Sequence, residues 1–148
     1  LPSTYWRIDV TRLDPYDPAQ PKKKQRIRGG PLIDLAALQG HLGSGEFDLD
    51  NLWLATDKCE KDVQKEQWSF EDVAQMLVSL QGASDYMSSE WCQIKGGAVV
   101  ACDAYAMPYD HVRKERHRRP NLALVQTYLK FSLDEAGTLS IVLVSCHT

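Results

Sequence analysis

No uncharged apolar stretch of this chain approaches the roughly 18 residues that a membrane helix requires. The best candidate, residues 98–107, is cut by Asp103. No membrane partner is therefore expected. Cysteine is scarce as well: Cys59, Cys92, Cys102 and Cys146 contain no C-x-x-C pair, which excludes a disulfide scaffold and points to a reducing compartment, the cytoplasm. Structural zinc fails on spacing, because Cys146-His147 is the only close Cys/His pair and tetrahedral sites draw on pairs two to five residues apart. Neither a metal nor a cofactor is expected. The polar, Pro-containing start lacks the apolar core of a signal peptide, and the missing initiator Met suggests a processed product or an excised fragment.

What is present describes one globular domain. The 148 residues are 43% hydrophobic and 25% charged, which excludes a disordered chain, a collagen and a coiled coil, and allows a core without covalent staples. The net charge of -3 is unevenly placed. Residues 1–30 carry +4, residues 31–110 carry -10, and residues 111–148 carry +3. Two basic ends around an acidic middle favour local anion binding over diffuse attraction to nucleic acid.

Residues 4–10 (TYWRIDV) suggest a short strand. Residues 14–30 hold Pro15, Pro18, Pro21 and Gly29-Gly30, so they suggest a loop or linker. Its basic run from Lys22 to Arg28 is either a solvated tether or an arm that touches phosphate. The chain thus divides into a basic extension, 1–30, and a folded domain, 31–148. Apolar residues at helical spacing predict a helix from Pro31 to Leu42, ended by Gly43-Ser44-Gly45. Residues 57–66 suggest a charged helix with little apolar surface. Ser69 and Asp72 stand at capping-box spacing before a helix over 70–81 that buries Val73, Met76, Leu77 and Leu80 and stops at Gly82. Strands are expected over 98–106, 122–133 and 139–146, the last two joined by a turn at 134–137. Helices first and a three-stranded antiparallel sheet after make the expected fold class α+β.

Four short motifs follow in order: SDYMSS at 84–89, CDAY at 102–105, TYLKF at 127–131 and LVSCH at 143–147. In order and spacing this series resembles the MqsR family of mRNA-interferase toxins, across about residues 31–148. The resemblance implies a RelE-like α+β fold, metal-independent cleavage of single-stranded mRNA, and a cognate antitoxin or immunity protein as partner. The family links activity to a Lys, a Gln, a Tyr and a terminal Lys. The matching positions here are Ser88, Cys102, Tyr128 and His147, so only the Tyr is kept.

Cleaving RNA without metal takes a base for the 2′-hydroxyl, an acid for the leaving 5′-oxygen, and cations for the growing phosphate charge. His147 and Tyr128 are the proton-transfer candidates, with Lys130 beside Tyr128 on the same strand face. Arg113, Lys114, Arg116, His117, Arg118 and Arg119 form a dense basic loop suited to phosphate. Bland roles are available to each: His147 as a frayed terminus, Tyr128 as a sheet aromatic, the loop as a solvated turn or antitoxin contact, Cys102 as a small buried residue. The four tryptophans are expected in the core or on ledges. Two other readings stand beside the ribonuclease. One is a catalytically silent module that binds RNA or protein; the other is the toxic C-terminal domain of a larger secreted protein.

Overall fold

A computed structural model describes residues 4–21, 25–119 and 124–148. In chain order the regular elements are β1 (Arg26–Ile27), α1 (Leu35–Gly43), β2 (Leu52–Leu54), α2 (Asp57–Glu66), α3 (Phe70–Ser79), α4 (Gly82–Asp85), β3 (Tyr86–Gln93), β4 (Val99–Met107), β5 (Tyr109–Asp110), β6 (Glu115–Arg116), β7 (Thr127–Asp134) and β8 (Ser140–His147). The fold is α+β, with a sheet that is antiparallel except at one edge. The strand order is β1-β3-β4-β7-β8-β2, and only β2 runs parallel to its neighbour, β8.

The helices form because their ends are satisfied and one face of each is apolar. Thr56 caps α2 by accepting from the Cys59 N–H. At α3 both arms of the capping box are made, Ser69 to the Asp72 N–H and Asp72 to the Ser69 N–H. Leu35 and Leu38 of α1, Cys59 and Val63 of α2, and Val73, Met76 and Leu77 of α3 pack with Tyr105, Met107, Leu129, Phe131, Leu133, Ile141 and Leu143 in one core on one side of the sheet. The apolar surface of α2 is small but all of it is used.

The expected strands over 98–106, 122–133 and 139–146 correspond to β4, β7 and β8, paired antiparallel in that order. Gly137 takes a positive φ of 91° in the turn between β7 and β8, a conformation that glycine adopts without strain. Five expectations are corrected. The helix expected from Pro31 begins only at Leu35, where Asp34 caps it by accepting from the Ala37 N–H. The sheet has six strands, not three, because β1, β2 and the eight-residue β3 extend it. Residues 4–10 are not a strand. Trp6 makes a single bridge to Ile33, and Asp9 then accepts from the Thr11 N–H and turns the chain into a short helical turn at Val10–Arg12. The strand expected over 122–133 begins at Thr127. Its start falls partly outside the described residues, and its partner strand ends where Met107 faces Thr127, with Pro108 next. The helix expected over 70–81 ends at Ser79. Gly82 does not stop it but opens a separate turn, α4, which the Asp85 carboxylate caps by accepting from the Gln81 N–H at 2.7 Å.

Nor does the N-terminal segment stand apart from the sheet. Arg26 and Ile27 pair with Glu90 and Ser89, and Ile27 and Leu32 are buried with Ala101 beneath Trp6, Ile8, Val10 and Leu13. Asp103, fully buried on β4, fastens the next stretch. Its carboxylate accepts from the Leu32 N–H at 3.0 Å, the Ile33 N–H at 2.9 Å and the Ser89 hydroxyl at 2.6 Å. Among the described residues, no helix is long and apolar enough to cross a membrane.

Candidate functional site

The sheet face opposite the helices carries the polar residues, and strand register sets them in rows. Ala106, Tyr128 and His147 lie side by side across β4, β7 and β8. The next row is Ser88, Ala104, Lys130 and Ser145, from β3 to β8. The third begins with Arg26, Glu90 and Cys102, from β1 to β4. A groove of about 250 Å³ runs over these rows, lined by Arg26, Ser88, Glu90, Tyr128, Lys130 and His147. The small side chains of Ala104 and Cys102 leave Lys130 room to reach across β4, where its ammonium meets the Glu90 carboxylate at 2.6 Å.

The three residues expected to be catalytic are therefore together. Tyr128 and His147 are direct cross-strand partners, and their rings stack with centroids 5.4 Å apart and planes 29° apart. His147 Nδ1 lies 3.3 Å from the Thr148 carbonyl. Burial pulls the Lys130 ammonium toward a lower pKa, but the hydrogen bond it donates to Glu90 and the fields of Cys92, Glu90 and Cys102 outweigh it, so Lys130 sits above the ordinary lysine value. It holds its proton at neutral pH. Its chemistry is charge stabilisation, not proton shuttling. Sequence reasoning missed Glu90 and offered Arg26 only as one member of a basic run read as a tether or as an arm that touches phosphate. Arg26 was hidden in a run of basic residues, and Glu90 in a strand with no clean alternation of polar and apolar positions.

The basic loop is elsewhere. It folds as the β5–β6 hairpin and packs on α3, and among the described residues none of its basic side chains lines the groove. Several are already engaged. Arg116, with a side chain 22% exposed, grips the Asp85 carboxylate through both terminal nitrogens at 2.5 and 3.2 Å and also reaches the Ser79 carbonyl. Lys114 pairs with Asp72 at 2.9 Å, and Arg118 with Glu115 at 3.0 Å. The His117 N–H closes the hairpin on the Pro108 carbonyl. His111 is stacked on Trp68 at 4.7 Å and hydrogen-bonds Thr127, and burial draws its pKa below the ordinary histidine value. Arg113 and Arg119 project to solvent.

This division gives a prediction with two arms. Arg116→Ala removes the cation from the buried Asp85, which keeps the Gln81 N–H, and should cost about 1–3 kcal/mol of stability, measured by urea unfolding. Replacing Arg113, Arg118 and Arg119 together should change stability by under about 1 kcal/mol, because all three are exposed. If the hairpin contacts RNA, the triple variant should lower the log–log salt slope of binding by about 0.7 for each lost phosphate contact. An unchanged slope would exclude the hairpin as an RNA contact.

Comparison with family models, curated proteins and solved structures finds no match for the chain.

Proposed function

We propose that this protein is a metal-independent endoribonuclease of the toxin–antitoxin type, divergent from the MqsR family and of RelE-like fold, acting on single-stranded mRNA in the cytoplasm. One observation carries the reading. Tyr128 and His147, which stand at two of the four positions that the motif resemblance singles out, are stacked cross-strand partners at the rim of a groove that also holds Lys130 and Arg26. His147 takes the 2′-hydroxyl proton as the 2′-oxygen attacks phosphorus. The 5′-oxygen departs with a proton from Tyr128 or from water. Lys130 and Arg26 supply the positive charge that the pentacovalent phosphate requires. An antitoxin or immunity protein is the partner that such an activity demands.

A second reading, a silent module that binds RNA or a protein, is favoured by the Lys130–Glu90 pair, which already neutralises the central cation of the groove. Incubating the purified protein with a long RNA in EDTA separates the two. Fragments that accumulate at a rate unaffected by EDTA support the nuclease. Salt-sensitive binding without fragments supports the RNA-binding silent module, and neither binding nor cleavage overturns both the nuclease and the RNA-binding module.

A further inference from the structure

Where β1 ends against β3, a cavity of about 590 Å³ opens at the sheet edge, with Arg26, Arg28, Gly29, Gly30, Met87 and Ser88 in its walls. It shares Arg26, Met87 and Ser88 with the groove that holds Tyr128 and His147, so the two adjoin. Its charge is one-sided. Among the described residues no carboxylate lines it, although residues 31–110 carry -10. Most cations of the groove and the hairpin are spent: Lys130 on Glu90, Lys114 on Asp72, Arg116 on Asp85 and Arg118 on Glu115. Arg26 and Arg28 are exposed, and among the described residues neither meets a carboxylate.

The hydroxyls at the cavity divide as well. Ser89 donates to Asp103 at 2.6 Å and, with its proton spent, accepts from the Tyr86 hydroxyl at 2.7 Å. Ser88 makes no side-chain hydrogen bond among the described residues and is free to donate. Gly29, at a φ of 86°, and Gly30 add no side chain, so bare backbone forms the wall next to Arg28. Two unspent guanidiniums, a free hydroxyl and no acid are the chemistry that recognises phosphate, because each planar guanidinium donates two parallel hydrogen bonds.

We propose that this cavity is a second phosphate subsite, which holds another phosphodiester of the single-stranded RNA that occupies the groove. Arg28 belongs to the subsite alone, and Arg26 bridges the two. The assignment rests on the RNA-binding part of the reading above, which the nuclease and the RNA-binding module share. In the order β1-β3-β4-β7, β1 stands three strand spacings from β7. At about 4.8 Å each that is roughly 14 Å, so the phosphate at Arg28 is not the one at Tyr128. A free phosphate needs only one of the two sites; their continuity through Arg26 favours a strand that spans both. Met87, 53% exposed, lines both and offers a base an apolar surface that adapts to its shape.

The test uses the full chain and a fluorescent single-stranded RNA whose 2′-hydroxyls are methylated, so that 2′-oxygen attack cannot cut it. The readout is the salt dependence of binding in EDTA. Arg28→Gln should lower the log–log slope by about 0.7, and Arg26→Gln with Arg28→Gln by about 1.4, the values for one and two lost phosphate contacts on a single strand. Arg28→Lys keeps the charge and should keep the slope, which a variant that merely disturbed the fold would not. Lys61→Gln removes an exposed cation of α2 that lines neither cavity, and should leave the slope unchanged. A slope unaffected by Arg28→Gln, or lowered as much by Lys61→Gln, overturns the subsite and leaves RNA binding in the groove standing. Full competition by inorganic phosphate at constant ionic strength marks a site for the free anion and overturns the RNA assignment. In a parent chain that binds RNA but never cuts the unmodified strand, the same slope changes sustain the subsite while the nuclease falls. A parent chain that binds no RNA overturns the subsite together with both RNA readings.

Discussion

His147→Ala should lower the rate of RNA cleavage by about a hundredfold to ten-thousandfold, the usual contribution of one general acid or base. The protein should remain folded. His147 is the last residue of β8 and only partly buried, and its side chain meets the Tyr128 ring and the Thr148 carbonyl rather than the core. Its loss removes one aromatic contact, about 0.5–1.5 kcal/mol, and no buried hydrogen bond. Imidazole is suited to the role because it both accepts and donates a proton near neutral pH. Lys130 is not suited, since Glu90 and the neighbouring sulfurs hold its proton in place. Tyr128→Phe keeps the stacked pair and removes only the hydroxyl. It should therefore separate a proton-transfer role of Tyr128, seen as a fall in rate, from a purely positional one, seen as no change. The measurement is single-turnover cleavage of a labelled RNA in EDTA. Parent-like rates from His147→Ala would remove it from the mechanism.

How much of this site was legible beforehand follows from the range of the forces involved. Tyr128, Lys130 and His147 were readable because strand periodicity is local. Residues 128 and 130 must share a face, and a hairpin with its turn at 134–137 must bring the end of β8 alongside the start of β7. The capping box of α3 was readable for the same reason: its two partners are three residues apart. What could not be read was pairing at long range. Arg26 joins the groove only because β1 adds to the outer edge of β3, and two residues give no periodic signal. β2 is a three-residue strand whose existence depends on the free edge of β8. The loop from His111 onward is largely polar, yet His111, Glu115, Arg116 and His117 are half-buried. Charge density alone could not tell that Arg116 faces Asp85, a partner 31 residues away in sequence. The residues between 1 and 30 were assigned to an extension on proline and glycine content, yet Ile27 is buried in the fold, because burial there is decided by Trp6, Trp91 and Ala101 rather than by neighbours in the chain.

Asp103→Ala should be the most damaging single substitution outside the apolar core, with an expected loss of roughly 2–5 kcal/mol. Asp103 is fully buried, and its carboxylate serves three donors: the N–H groups of Leu32 and Ile33 and the Ser89 hydroxyl. Removal leaves two buried backbone donors with no acceptor, and each such orphan costs about 1–3 kcal/mol. The Ser89 hydroxyl has a second partner in the Tyr86 hydroxyl at 2.7 Å, so it adds less. Gly30 packs closely on the same cluster: a Cβ there would collide with Ser89 Oγ and the Tyr86 hydroxyl. The damage should spread to Leu32 and Ile33, which Asp103 holds against the sheet, and through them to the bridge that ties Trp6 to the fold. Asp103→Asn keeps one acceptor oxygen and should lose about half as much. Burial pushes the Asp103 carboxyl above its ordinary range, against the pull of Ser89, of the two N–H groups and of Arg7. A raised folded pKa means that the native state keeps this proton after the unfolded chain has released it. The advantage of the parent over Asp103→Asn should therefore shrink as pH rises from about 3.9, the ordinary aspartate value, through the raised one, and stay constant above it. Urea unfolding of parent, Asn and Ala variants from acid to neutral pH measures both effects. An Ala variant within about 1 kcal/mol of the parent would mean that the Leu32 and Ile33 donors find water, and that Asp103 does not hold the N-terminal segment to the sheet.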